Sequence, residues 1–548
     1  MTSRTEWWKQ AVAYQVYVKS FFDSDGDGLG DLPGLISKLD YLRYLGVDLL
    51  WLTPVQLSPY RENGYDISDY QAIQPELGTL DDFGNLLKEA HARDIRIITD
   101  FVINHTSDLH PWFIESRSSR TNPRRDYYIW RDGKDGCEPN NWASHFSEAA
   151  WTFDEQTEQY YLHLFSKHQP DLNWNNPAVR DELQRMMKWW LDRGIDGFRL
   201  DAINLISKRQ DFPDNSVNDR FFLSQQGSRM FSLDNFRNGP DLNDFLVELK
   251  TRVMDQYDCV TVGECAMLNV DDAVGFSAPA TGSLDMTFLF EHTEHYNLVG
   301  KDPEKLKEII TRWQTDLHGR GWVGIAFNNH DQPRVVSCFG NDADYRKESA
   351  KLFAVLLLSL EGTPFIYQGE EIGMTSVTYD DIADYDDVAT INEYAQKISD
   401  GIDPDIALDQ VRAISRDRGR SPFQWNAEKA AGFTTGKPWI GINQNYAEVN
   451  LQRDLEDTDS VCHFYKKMIA LRKLTPALVH GSFTRLDSPQ ELYVFERTFR
   501  DETVTVVLNP GDVAVSYTCD VQPKLSNYPT TDHGLVRPWE ARILKSAR

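Results

Sequence analysis

Cysteine is scarce in this chain: six in 548 residues, at positions 137, 259, 265, 338, 462 and 519, with no Cys-x-x-Cys or regular spacing. A chain this long buries a core without covalent staples, so a disulfide scaffold is not needed and free thiols in a reducing cytoplasm are expected. Long apolar runs are missing too. The longest, residues 352–360, is far too short to cross a bilayer and reads as a buried helix. The segment Met1-Thr-Ser-Arg-Thr-Glu-Trp-Trp8 holds no apolar h-region, so no secretory signal is expected. Basic charge is outweighed, with 57 Lys and Arg against 84 Asp and Glu and a net charge of −27. Without a Lys/Arg run, that balance opposes binding to nucleic acid or to an anionic membrane surface and is read as solubility. Internal repeats and low-complexity segments are also absent. What remains is a long chain, 41% hydrophobic, whose length suggests two or three domains.

Strand-like and helix-like stretches alternate. Residues 13–18, 47–52, 95–102, 197–200, 260–263, 286–290, 324–327 and 364–367 are β-prone, and helical spacing recurs between them at 35–45, 82–93, 178–192, 242–256, 304–317 and 346–360. Eight strands interleaved with helices predict an α/β fold, a (β/α)8 TIM barrel. The alternation breaks between His105 and Asn173, in a stretch rich in Trp, Asn, Ser and Pro, and gives way after about Pro476 to short β-type runs at 492–497, 503–508 and 513–518. The expected domains are therefore a barrel (1–104 and 173–476), an insert (105–172) at the catalytic face, and a small antiparallel domain (477–548).

Four segments carry chemistry at strand ends: Asp100-Phe-Val-Ile-Asn-His105, Gly197-Phe-Arg-Leu-Asp201, Val262-Gly-Glu264 and Asn328-Asn-His-Asp331. One acid at a strand end is more often a cap or a surface group. Four such ends in one barrel point to convergence at its C-terminal face. Acetal cleavage needs one ionised and one protonated carboxyl group. Arg199 and Asp201, at i and i+2, share a strand face, so the guanidinium is placed to hold Asp201 ionised. Glu264 follows apolar residues that would raise its pKa, and Asp331, beside His330 on a later strand, adds a third carboxylate.

These four segments resemble the signature regions of the α-amylase family (glycoside hydrolase family 13), and Gln169-Pro-Asp-Leu-Asn173 is similar to a fifth motif in its oligo-1,6-glucosidase form. The resemblance runs through Gly436-Lys-Pro-Trp439 and covers nearly the whole chain. It implies a barrel, an inserted domain B and a β-sandwich domain C. Carried over by position, it makes Asp201 the nucleophile, Glu264 the general acid/base and Asp331 the transition-state stabiliser. Tyr65, His105, Arg199, His330 and Arg416 would line the pocket for the non-reducing-end sugar. Net retention is implied, with the first two carboxyl groups roughly 5–5.5 Å apart.

The loop Asp23-Ser-Asp25-Gly-Asp27-Gly-Leu29-Gly-Asp31 sets acids at alternate positions, a spacing that suits Ca²⁺, although position twelve counted from Asp23 is Gly34 and not the Glu of an EF-hand. In the family resemblance the Leu29 carbonyl joins the aspartates as a ligand of a structural ion. No organic cofactor is expected.

Specificity is less directly readable. Ala202, after the nucleophile, stands where relatives often carry Val (α-1,6) or Thr (α-1,4) and suggests a permissive site or a packing role. Glu62 replaces an Asp that binds the terminal sugar in relatives, and its extra methylene is expected to displace the sugar or Arg416. Ser415-Arg-Asp-Arg-Gly-Arg420 departs from the family's usual Asn or His and small residue. Trehalose-6-phosphate hydrolases share a segment like Asn204-Leu-Ile-Ser-Lys208, but Phe290-Glu-His-Thr-Glu-His295 is acidic for a phosphate site. Sucrose isomerases carry an Arg-rich loop, for which 416–420 is the counterpart. A non-catalytic, transporter-associated barrel protein would have lost its carboxylates. The expected protein is an exo-acting α-glucosidase of the cytoplasm, a monomer or weak oligomer, acting on isomaltose, isomaltulose, trehalulose or sucrose.

Overall fold

The computed structural model describes residues 6–146, 149–226, 228–294, 302–518, 521–530 and 532–546. Its centre is a closed barrel of eight parallel strands: β1 (Ala13–Val16), β2 (Leu49–Leu52), β3 (Arg96–Val102), β4 (Gly197–Asp201), β5 (Val260–Gly263), β6 (Met286–Leu289), β7 (Val323–Ile325) and β8 (Thr363–Tyr367). They neighbour one another in chain order, and β1 closes on β8 with Ala13 opposite Phe365. Both faces of each strand are covered, which is why these runs are mostly apolar, the exceptions including Gln15, Asp100, Arg199 and Asp201, which are buried. Leu49, Trp51, Ile98, Val260, Val262, Met286, Phe288 and Phe365 fill the barrel interior. Leu50, Leu52, Ile97, Phe198 and Leu200 join the larger layer beneath the helices.

Local signals set the element boundaries. Helix Leu80–His91 opens with a capping box in which the Thr79 hydroxyl accepts from the Asp82 N–H and the Asp82 carboxylate accepts from the Thr79 N–H. Strand β4 begins at Gly197, where φ is 147° and a Cβ would lie 1.9 Å from the Val260 carbonyl oxygen, so only glycine lets β4 and β5 approach.

After β3 the chain builds a three-stranded antiparallel sheet (Trp130–Arg131, Gln159–Leu162, Trp151–Asp154 in spatial order) and a helix, Pro111–Ser118. Phe113, Trp130 and Tyr161 pack ring on ring at its centre. Two excursions were not legible in the strand–helix pattern: a hairpin, Phe222–Gln226 with Arg229–Ser232, and the helices Val388–Ser399 and Pro404–Ile414 after β8. The C-terminal part is a five-stranded sheet led by Ser482–Arg485, Tyr493–Phe499 and Glu502–Leu508, with a separate strand pair, Val515–Ser516 and Leu535–Val536, in place of the longer run expected at 513–518. Buried Arg497, on strand Tyr493–Phe499, fastens the sheet to the barrel by donating to the Ser359 carbonyl oxygen, and Arg472, on helix Val461–Lys473, donates to the carbonyls of Leu358, Leu360 and Leu478. Five cysteines (137, 259, 265, 338, 462) are free thiols; Cys519 lies outside the described residues. Among the described residues, no helix is long and apolar enough to cross a membrane.

Candidate active site

Strand β4 alternates, so while Phe198 and Leu200 pack outward, Arg199 and Asp201 share the opposite face. There Arg199 is a hub for three carboxylates. Its Nη1 donates to Asp100 Oδ1 (2.5 Å) and Asp201 Oδ1 (2.6 Å), and its Nη2 lies 2.7 Å from Glu264 Oε1. Register explains the gathering: Asp100 is directly opposite Arg199 on β3, and Glu264 follows the last residue of β5. The other Glu264 oxygen accepts the Ala202 N–H at 3.0 Å. Ala202 holds φ at 43°, a left-handed turn that swings its amide towards Glu264.

Burial pushes Asp201 up to about 6, with Arg199 pulling the other way. Burial raises Glu264 further, to about 7, again opposed by Arg199, while the negative charges of Asp201 and Asp331 add to the rise. The two acids thus differ in the order that opposite tasks require: the first loses its proton before the second. Asp331 is the third partner. Burial would raise it as well, but the His330 Nε2–H, 3.1 Å away, and the positive charges of Arg416 and Arg420 overcome that and hold it well below the usual carboxylate range. Strand β7 ends at Ile325, so His330 and Asp331 lie in the loop beyond it and not on a strand as the sequence suggested. A loop can turn Asp331 back over the barrel mouth, which a continued strand cannot.

The two predicted histidines are both neutral and fully used. His330 Nδ1 accepts from Gln15 Nε2 (2.7 Å), so Nε2 carries the proton, 2.7 Å from Tyr65 Oη and 3.1 Å from Asp331 Oδ2. Tyr65 in turn donates to Asp100 Oδ2 at 3.1 Å, which Trp51 also reaches at 3.0 Å. Burial lowers His330 to about 3 and His105 to about 4. His105 Nε2 donates to the Tyr65 carbonyl oxygen (3.1 Å), with Gln169 against the same nitrogen at 3.0 Å.

On the far wall Glu62 pairs with Arg416: Arg416 Nη1 sits 2.7 Å from Glu62 Oε1 and 3.5 Å from Asp331 Oδ1, and its other nitrogens bond Asp387 Oδ1 at 2.8 and 2.5 Å. Burial raises Glu62 to about 7 against that guanidinium, and its Oε2 is buried without a hydrogen-bond partner. Arg420, fully buried, donates to Asp331 Oδ1 (2.7 Å) and to the His330 carbonyl oxygen (2.9 Å). The Arg-rich stretch therefore braces Asp331 and Glu62, and Arg418 turns away to the Ala413 carbonyl oxygen at 2.6 Å. Asp387 was missed because an acid before a helix reads as a cap, which it also is: it accepts from the Ala389 N–H.

Two adjoining cavities meet here. One, of about 220 Å³, is lined by Glu62, Tyr65, His105, Asp201, Glu264, Asp331 and Arg416. The other, of about 200 Å³, includes Ala202, Leu205, Ala266, Phe290, Thr293 and Gln332 in its wall. His145, Phe165, Glu264 and Asp331 line both. A larger hollow near Trp7, Asp48 and His480 includes none of these acids.

Other predicted residues go elsewhere. Lys208 is buried 2.7 Å from Asp171 and so is spent internally. In the 290–295 segment, His292 bonds the Ala326 carbonyl oxygen and Glu291 pairs with Arg312; His295 lies outside the described residues. Asp23, Asp25 and Asp27 bring carboxylate oxygens within 4.8 Å of one another in a separate loop. Asp31 does not join them: it caps helix Leu32–Leu45 through the Gly34 N–H (2.5 Å) and accepts from Ser24. The Leu29 N–H donates to Asp27 Oδ1 at 2.7 Å.

A closed parallel barrel with two carboxylic acids at its mouth suits acetal hydrolysis, and likeness to known proteins makes the chain a glycoside hydrolase. The model of the alpha amylase catalytic domain matches residues 15–481, and the chain belongs to the alpha-amylase family. It is 46% identical to an oligo-1,6-glucosidase of Halalkalibacterium halodurans, over 98% of this chain and 99% of that one. Among solved structures, a trehalose-6-phosphate hydrolase of Bacillus licheniformis is 41% identical with a TM-score of 0.92, covering 99% and 100% of the two chains. A trehalulose synthase variant in complex with its substrate sucrose is 39% identical with a TM-score of 0.91, covering 99% of each.

Proposed function

We propose that this enzyme is a retaining, exo-acting α-glucosidase that removes the terminal α-glucosyl unit from short sugars of the isomaltose, isomaltulose, trehalulose and sucrose class. Asp201 acts as nucleophile, attacking the anomeric carbon to form a glycosyl–enzyme ester. Glu264 gives its proton to the departing oxygen and then takes one from the water that releases glucose. Asp331, held ionised, stabilises the positive charge that develops on the sugar ring, and Arg199 fixes the geometry of the first two acids. Glu62, His105, His330, Tyr65 and Arg416 bind the terminal glucosyl unit, the orphan Oε2 of Glu62 accepting from a sugar hydroxyl. Ala202 borders the leaving group.

The observation that carries this reading is the Arg199 hub, which binds Asp201 and Glu264 at the wall of an ion-paired cavity. An exo-acting enzyme needs a pocket that ends, and the Glu62–Arg416–Asp387 cluster is such an end. Two alternatives lose support. A phosphorylated substrate calls for cations around the leaving group, yet no Lys or Arg is among the described residues lining that cavity. The arginines that favoured an isomerase are engaged in the wall. The test is incubation with isomaltose, isomaltulose, trehalulose, sucrose, maltose and trehalose 6-phosphate, with products resolved by chromatography. Free glucose from the unphosphorylated sugars is expected; activity confined to the phosphorylated sugar, or isomerised sucrose, would overturn the assignment.

The aspartate loop is proposed to hold a structural Ca²⁺ through Asp23, Asp25, Asp27 and the Leu29 carbonyl, hard oxygen donors that suit this ion; Asp31 supports the loop as a helix cap. Asp23 already ties the loop to Thr434, so an ion here would brace the chain junction at 433–439. A melting temperature insensitive to calcium and chelator would contradict it. The reading places the enzyme in the cytoplasm.

A further inference from the structure

His145 stands apart from the other two histidines of the cavities. His105 and His330 each use both ring nitrogens in hydrogen bonds. Neither His145 nitrogen bonds a described residue, and Nε2 is shut from solvent without a partner. The ring is nonetheless fixed. It stacks on Phe165 (centroids 4.6 Å apart, 14° between planes) and meets Phe231 edge-on at 4.7 Å, while its backbone N–H is tied to the Leu164 carbonyl oxygen at 2.8 Å. A ring held by packing at the wall of both cavities, with Nδ1 bonded to no described residue, keeps that nitrogen for a ligand to engage. The position limits which ligand. His145 lines both cavities beside Glu264 and Asp331, where the scissile oxygen and the first atoms of the leaving group must pass. The remaining wall of the leaving-group cavity is apolar or uncharged, through Leu205, Ala266, Phe290, Thr293 and Gln332.

We propose that His145 is a specificity-determining residue that hydrogen-bonds a hydroxyl group of the leaving-group sugar, selecting an uncharged second saccharide over a leaving group without hydroxyls. This rests on the α-glucosidase reading above. The experiment compares kcat/KM for isomaltose and sucrose with that for p-nitrophenyl α-glucoside, whose leaving group has no sugar hydroxyl. Three proteins are used: the parent, His145→Phe, which keeps the aromatic sandwich, and His145→Gln, which keeps a donor and an acceptor. Loss of one neutral hydrogen bond predicts a fall of about three- to tenfold for the disaccharides in His145→Phe, with the aryl glucoside changed by less than about twofold and partial recovery in His145→Gln. Equal falls on all three substrates, or no change on any, would overturn the proposal. A parent inactive on disaccharides and aryl glucoside alike would instead overturn the α-glucosidase reading, and this inference with it.

Discussion

The two cavities that meet at Glu264 and Asp331 are built on opposite principles. The terminal-sugar side is a cage of ion pairs: Arg199 binds three carboxylates, Arg416 binds Glu62 and Asp387, and Arg420 binds Asp331. Apart from Glu264 and Asp331, which both cavities share, the other side is lined by Ala202, Leu205, Ala266, Phe290 and uncharged polar groups. Buried ion pairs tolerate little displacement, because a lost partner leaves an uncompensated charge. Apolar walls accept different shapes at small cost. On the proposed reading, the charged half fixes which sugar is cleaved, while the uncharged half discriminates among leaving groups through weaker contacts such as the one proposed for His145.

Breaking the charged half has the largest effects. Asp201→Asn or Glu264→Gln is expected to lower kcat by at least about 10³-fold with the fold intact, measured by steady-state kinetics and circular dichroism. Arg416→Gln leaves Glu62 and Asp387 buried without their cation; it is expected to cost about 3–5 kcal/mol in denaturant unfolding and most of the activity. The pH profile sharpens the same point. Below about 6 Asp201 gains a proton and stops being a nucleophile, and above about 7 Glu264 loses the proton the leaving group needs. A narrow bell in kcat/KM between those values is expected, with Asp331 ionised throughout. The smallest effect belongs to the uncharged half. Ala202→Val places a β-branched side chain at φ 43°, where alanine already bears the cost of a Cβ, and is expected to lower stability further and to shift the relative rates on isomaltose and sucrose while sparing the aryl glucoside.

The same contrast explains what could be read from residues alone. The Arg199–Asp201 pair was legible because strand periodicity puts i and i+2 on one face, and Glu264 because an apolar strand ran straight into it. The eight barrel strands showed as β-prone, mostly apolar runs, since both faces are buried. The far wall was not legible. Arg416 and Arg420 were visible as an Arg-rich stretch, but their partners Glu62, Asp331 and Asp387 are 29 to more than 350 residues away, and only the fold brings them together. Loop placement was lost too: nothing in Asn328-Asn-His-Asp331 signals that β7 ends at Ile325. His145 carried no motif, because its significance lies in hydrogen bonds it does not make.

The most direct test of the account is the anomeric form of the first glucose released, followed by proton NMR before mutarotation. Double displacement through Asp201 and Glu264 predicts α-glucose; β-glucose would contradict the nucleophilic role of Asp201 and with it the assignment of the two acids.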